Sequence, residues 1–136
     1  MKRRATVICE REGNVLLVAR ERGRWAFPGG RQKAGEEIAS TAIRELEEET
    51  GLHVSSSHYL FQFRGLRTRH FVFIVRLPEH AEPVPSNEIA RCQWVKLKDL
   101  AKLEASIPTK GIAEIFLRQS RSSGQPQDKS IQTLTT

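Results

Sequence analysis

Residues 30–52 read GRQKAGEEIASTAIRELEEETGL, and this stretch decides how the rest of the chain is parsed. It follows Pro28 through a Gly29-Gly30 turn and closes on Gly51, so it reads as loop, helix and cap. Gly35 ends the loop, and Ile38, Ala42 and Leu46 recur every fourth residue, which predicts a helix from about Glu37. The last turns of that helix carry Arg44 and then Glu45, Glu47, Glu48 and Glu49. Carboxylates at a helix C-terminus oppose the macrodipole by roughly 0.3–1 kcal/mol each when exposed. Like charges at i,i+3 and i,i+4 add repulsion of about 0.2–0.5 kcal/mol per pair.

At about 100° of rotation per residue, Glu45, Glu48 and Glu49 fall within an arc of roughly 100°. Glu49 shares the heading of Ile38 and Ala42, the apolar side of the helix. Bare anions on the edge of a buried stripe suffer desolvation, and a bound cation relieves it. Magnesium takes oxygen ligands, retains waters, and is commonly held by a few carboxylates together with substrate phosphates. The plainer alternative is a solvated acidic helix in which Arg44 pairs with Glu48 at i,i+4.

The full spacing favours the cation. Gly30-x5-Glu36-x7-Arg44-Glu45-Leu46-x-Glu48-Glu49-x-Gly51-Leu52 resembles the signature of the Nudix hydrolases at every fixed position. The resemblance extends over roughly residues 5–118, because small Nudix enzymes have a Trp-x-Phe-Pro-Gly-Gly lead-in similar to residues 25–30 here. It implies an α/β/α sandwich with a mixed β-sheet and a loop-helix-loop catalytic motif. The implied chemistry is hydrolysis of the pyrophosphate bond in nucleoside diphosphates linked to another group, with Mg2+ or Mn2+ as cofactor. By the same resemblance Glu45, Glu48 and Glu49 match metal-binding carboxylates, and Gly29 matches a position whose carbonyl joins the metal shell. Glu36 matches a position that supports a metal through water, and Arg44 one that orients a signature glutamate. Glu88, in a loop six residues before Trp94, matches an additional catalytic or metal-binding glutamate of related small enzymes.

The chain has 136 residues, enough for one domain with a single sizeable core. Its 38% hydrophobic and 28% charged residues fit a globular protein, and no apolar run is long enough to span a bilayer. Cys9 and Cys92 fall in predicted strands without metal-ligand spacing, so they read as buried thiols of a reducing, cytoplasmic compartment. A net charge of +6 favours anionic ligands, whether phosphate compounds or nucleic acid.

Outward from the signature, residues 5–10 and 15–19 read as strands joined by Glu12-Gly13-Asn14, a hairpin. Residues 20–24 form a charged loop, and residues 59–64, 70–77 and 91–96 are further strands. Phe71, Phe73 and Val75 mark one face and Val72 and Ile74 the other, so the sheet is expected to be covered on both sides. Residues 78–87, with Pro78, Pro83 and Pro85, read as a long exposed loop. Lys98-Asp99-Leu100 starts a short helical turn. An amphipathic helix over 108–118 then turns Ile112, Ile115 and Phe116 inward, with Pro108 at its start. The domain is expected to occupy residues 1–118. Residues 119–136, rich in Gln, Ser and Thr, are expected to be a disordered tail.

Arg64, Arg67, Arg69 and His70 fall around the turn between two strands, and Arg64 and Arg69 are candidates for substrate phosphates, with Arg20 or Arg24 beside them. Trp25 and Phe27 are candidates for stacking a base, against the alternative of core packing. The expected substrate is a nucleoside triphosphate or an oxidised or modified nucleotide that releases a monophosphate. ADP-ribose, a dinucleoside polyphosphate or the 5′ end of RNA is the alternative. A nucleotide-sensing protein without turnover would be expected to carry a broken signature, and this signature is intact. The partner is a small nucleotide, with no membrane involved, and the chain is expected to act as a monomer or homodimer.

Overall fold

The computed structural model describes residues 1–123. Strands β1 (Lys2–Arg11) and β2 (Asn14–Ala19) form the expected hairpin, with Glu12 and Gly13 at positive φ in its turn. They pair only at its closed end, Glu10 with Val15 and Arg11 with Asn14. Beyond that point the two strands part. β1 pairs antiparallel with β3 (Gly29–Arg31), whereas β2 pairs antiparallel with β6 (Arg91–Lys96). On its other edge β1 runs parallel to β5 (Thr68–Arg76), which is antiparallel to β4 (His58–Arg64). The sheet is therefore mixed, in the order β4-β5-β1-β2-β6 with β3 beside β1.

Alternation along the strands divides the core into two layers. Ala5, Val7 and Cys9 of β1, Leu16 of β2, and Phe73 and Val75 of β5 pack beneath helix α1 (Ile38–Thr50), against Ala42 and Leu46. Ile8, Val15, Leu17, Val72 and Ile74 face the opposite side and meet Ile112 and Ala113 of helix α2 (Ile107–Ser123). A 3-10 turn (Leu97–Lys102) contributes Leu100 to this second layer. The result is the expected α/β/α sandwich. Ser106 Oγ accepts the Thr109 N–H at 3.2 Å and so caps the start of α2.

Three expectations change. Gly29-Gly30 is not a turn but the start of β3, with Thr6 opposite Gly29 and Ala5 opposite Gly30. β5 begins two residues before the expected His70, at Thr68, which takes Arg69 and His70 into the sheet. α2 continues past residue 118 to Ser123, and the remainder of the expected tail, residues 124–136, lies outside the described residues. Among the described residues, no helix is long and apolar enough to cross a membrane.

Candidate active site

The site lies where β1 and β2 diverge. α1 crosses over β3, and glycine lets the two approach. A Cβ at Gly30 would overlap the Glu45 carboxyl group, and one at Gly29 would overlap the Ala5 carbonyl oxygen. α1 ends as the signature predicts, with Gly51 in the left-handed region at φ 72° and its N–H bonded to the Glu47 carbonyl at 2.8 Å. The loop after β5 satisfies the next helix carbonyls: Val84 N–H donates to Thr50 at 2.8 Å and Ser86 N–H to Glu49 at 3.0 Å. These bonds bring the segment that carries Glu88 to the carboxylate end of the helix.

Arg44 organises the acidic face. Its Nε and Nη2 donate to the two oxygens of Glu36 at 2.7 and 3.0 Å, and its Nη2 also reaches the Arg31 carbonyl at 3.2 Å. Its Nη1 donates to Glu45 at 3.1 Å and lies 3.3 Å from both oxygens of Glu48. Glu36 also accepts the Lys33 N–H at 3.0 Å and the Thr41 hydroxyl at 2.8 Å. Hydrogen bonds from Arg44, above all, draw the Glu36 carboxyl down to about 2, with the Lys33 N–H adding to the effect. Glu36 thus holds Arg44 and the loop before α1 through four hydrogen bonds.

Glu45 is tied to this anchor through Arg44, whereas Glu49 is held by the Gly29 N–H. Burial pushes the Glu45 carboxyl up, opposed by the Arg44 charge. Burial raises Glu49 to about 7, opposed by the Gly29 N–H at 3.1 Å and reinforced by the neighbouring Glu45 charge. Two partly buried carboxylates, Glu45 raised further by the Glu48 charge and Glu49 by the Glu45 charge, form an anionic site in want of a cation. Among the described residues no three acidic or His/Cys side chains converge on one point; Glu45 and Glu48 instead meet at Nη1 of Arg44. Magnesium asks for no such cage: it takes one or two carboxylates, waters and phosphate oxygens. The all-oxygen donor set fits a hard divalent ion.

A cavity of about 800 Å³ opens in front of Glu45 and Glu49. Its wall includes Gly29, Gly30, Arg44 and Phe27, and five cations outside the carboxylate cluster: Arg4, Arg20, Arg24, Arg31 and Lys33. A neighbouring recess of about 490 Å³ is shared by Arg20, Glu45, Glu48, Glu49 and Glu88. Glu88, far along the chain, therefore does join the carboxylates, in an ion pair with Arg20 at 2.6 Å between two largely exposed side chains.

Other expected substrate contacts fall elsewhere. Phe27 touches the cavity but is only 4% exposed and belongs to the α2-side core. Trp25 lies outside the cavity wall, packed against that core and covered by the Arg91 guanidinium at 4.8 Å. Arg64 and Arg69 are register partners on the β4–β5 hairpin and line neither cavity. His70 is buried, and its Nδ1 lies 3.0 Å from the Thr6 hydroxyl. Sequence reading missed Arg4, Arg31 and Lys33. The signal was present only indirectly, since Arg4 and Arg31 become neighbours through a β3 that a two-glycine segment does not announce.

The chain is similar to known proteins across most of its length. A family model described as the NUDIX domain matches residues 1–115. Human nucleoside diphosphate-linked moiety X motif 6 is 30% identical over 144 aligned positions, covering 96% of this chain and 45% of that protein. Mouse diphosphoinositol polyphosphate phosphohydrolase 3-alpha is 35% identical over 112 positions, covering 75% of this chain and 68% of that one. The crystal structure of a Nudix hydrolase family member from Chromobacterium violaceum superposes with a TM-score of 0.77 at 33% identity, covering 87% of this chain and 77% of that one. The chain thus spans about half the length of the human relative. A domain model that takes in nearly all of the described residues, and relatives of this similarity, lead to one conclusion: the chain belongs to the Nudix family.

Proposed function

We propose that the chain hydrolyses the pyrophosphate bond of a nucleoside diphosphate linked to another group, using Mg2+ or Mn2+. A nucleoside triphosphate or an oxidised or modified nucleotide is the preferred substrate, and a nucleoside monophosphate is the product. The observation that carries this reading is the facing of Glu45 and Glu49 by Arg4, Arg20, Arg24, Arg31 and Lys33 around one cavity. A diphosphate needs both halves of such a site: cations for its own oxygens, and carboxylates for the metal that neutralises the rest.

Glu45, Glu48 and Glu49 would hold the ion, with the Gly29 carbonyl beside them. When bound, a divalent ion polarises phosphoryl oxygens and lowers the pKa of a coordinated water. The chain's own groups do the rest. Arg44, locked by Glu36, fixes the headings of Glu45 and Glu48. Arginines on the cavity wall bind phosphate oxygens through their planar forks. Glu48 and Glu88 keep 40% and 73% of their side-chain surface exposed and are the carboxylates from which the proton acceptor for water is drawn. A positioned acceptor typically contributes about 10²–10⁴-fold.

Turnover of a nucleotide panel with Mg2+ and with Mn2+ tests this reading, comparing wild type with Glu48→Gln and Glu49→Gln. Each variant is expected to lose at least about 10²-fold in kcat while keeping its thermal transition. Undiminished phosphate release in either would sink the assignment. A second reading, a diphosphoinositol polyphosphate as substrate, is favoured by the mouse relative's name and by the number of cations at the cavity. The same panel separates the two.

A further inference from the structure

From the end of the sheet beside the cavity we infer a second anion-binding region, a track for the phosphate backbone of a single-stranded oligonucleotide whose 5′-terminal di- or triphosphate occupies the cavity. This rests on the hydrolase reading only for what sits in the cavity; the track itself stands on its own geometry.

Arg3 lies directly opposite Arg69 in the β1–β5 register, and Arg69 directly opposite Arg64 in the β5–β4 register. Residues opposite one another in a ladder project from the same face, so three arginines stand side by side across three strands. Arg3 is held in place, its guanidinium 4.5 Å from the centre of the Phe71 ring and its Nε donating to Gln32 Oε1 at 2.8 Å. Gln32 lines the cavity, so the row begins at the cavity wall and leads away from it. The buried Nε of Arg69 has no hydrogen-bond partner. Among the described residues, none of Arg3, Arg64, Arg67 and Arg69 forms an ion pair with a carboxylate, although most acids elsewhere do pair.

Aligned like charges without counter-charges repel, and a polyanion relieves the repulsion. The shape of the row selects the polyanion. From β3 to β4 it spans three strand spacings, about 14 Å at about 4.8 Å each. A compact ring of phosphates placed in the cavity would not reach Arg64, whereas a few phosphodiester repeats leaving the cavity over Gln32 would pass each arginine in turn. Arg64 and Arg69, absent from the cavity wall, thereby acquire contacts with the non-reacting part of a longer substrate.

The test is equilibrium binding of 5′-monophosphorylated oligoribonucleotides of one to eight nucleotides, read by fluorescence anisotropy at several salt concentrations without turnover. Wild type is compared with Arg64→Gln/Arg69→Gln and with Lys98→Gln/Lys110→Gln, which removes two exposed lysines beside α2. Affinity is expected to rise with length over the first few nucleotides and then level off. The arginine pair should weaken the longer ligands about tenfold or more and reduce the log-affinity against log-salt slope by about 1.4, at about 0.7 per lost phosphate contact. The lysine pair should do neither. Equal weakening by both pairs would show only a net-charge effect and overturn the track, as would no weakening by either, no length dependence, or displacement of oligonucleotide from wild type by inositol hexakisphosphate but not by longer oligonucleotide. Because binding is read without hydrolysis, a protein that binds in this way but turns nothing over would defeat the proposed activity and leave the track standing.

Discussion

Adjacent glycines in β3 serve different purposes. At Gly29 the neighbour a methyl group would meet is backbone, the Ala5 carbonyl, which is held in the β1 ladder and has nowhere to go. At Gly30 it is the far end of the Glu45 side chain, which can swing away. Gly29→Ala is therefore expected to destabilise the fold by about 1–3 kcal/mol, the usual range for overpacking, as read by urea unfolding. Gly30→Ala should keep the unfolding midpoint close to wild type and lose activity, because it displaces a carboxylate rather than a strand. If both variants behaved alike in both assays, the division of roles would fail. Arg44 shows the same logic in polar form: it neutralises an otherwise repulsive helix end and at the same time sets where Glu45 and Glu48 point.

Among the elements, the charged loop over 20–24 bears most directly on the proposed substrate binding, because Arg20 and Arg24 reach the cavity from it. It has no regular structure of its own. Arg91, in β6, holds it by donating Nη2 to the carbonyls of Arg20 and Gly23, each at 3.2 Å, while its guanidinium lies over Trp25. Arg91→Ala is expected to leave α1 and its carboxylates in place, raise KM severalfold and change kcat little, the signature of lost ground-state binding. A fall in kcat with KM unchanged, in steady-state kinetics, would show that the loop acts on the chemistry instead.

For the whole molecule, the two-layer core makes stability depend on pH through a group remote from the carboxylates. His70 is buried between β1 and β4 neighbours, against Thr6 and the Phe63 ring, and burial with the nearby Arg4 charge lowers it from 6.5 to about 4. The unfolded chain takes up this proton first as pH falls. The stability His70 contributes is therefore present in full above 6.5 and is lost between 6.5 and about 4, with a slope of up to about 1.4 kcal/mol per pH unit for one proton. Glu49, raised to about 7, acts with the opposite sign over part of this window, because the folded chain takes up its proton first. His70→Asn should lack this part of the slope, measured by urea unfolding at a series of pH values. An unchanged slope would mean that other groups account for acid sensitivity in that window.

The parts legible in the sequence were those set by local periodicity and spacing. α1 and its stripe of Ile38, Ala42 and Leu46, the carboxylates on one edge, the Gly51 cap and the two-sided burial of β5 all follow from side-chain geometry within a few turns or pleats. β3 was not legible, since two glycines carry no strand propensity and its pairing with Thr6 and Ala5 exists only once β1 and β2 have parted. The same split decides that Arg4 and Arg31 serve the cavity while Arg64 and Arg69 do not. It also places His70 in the core and sets Glu36 against Arg44. By itself the sequence determined the helix, its charge and the family chemistry those residues imply, because these depend on neighbours a few residues apart. Only the tertiary structure decided which distant cations face that charge, because strand pairing between remote segments, not spacing along the chain, sets their distances.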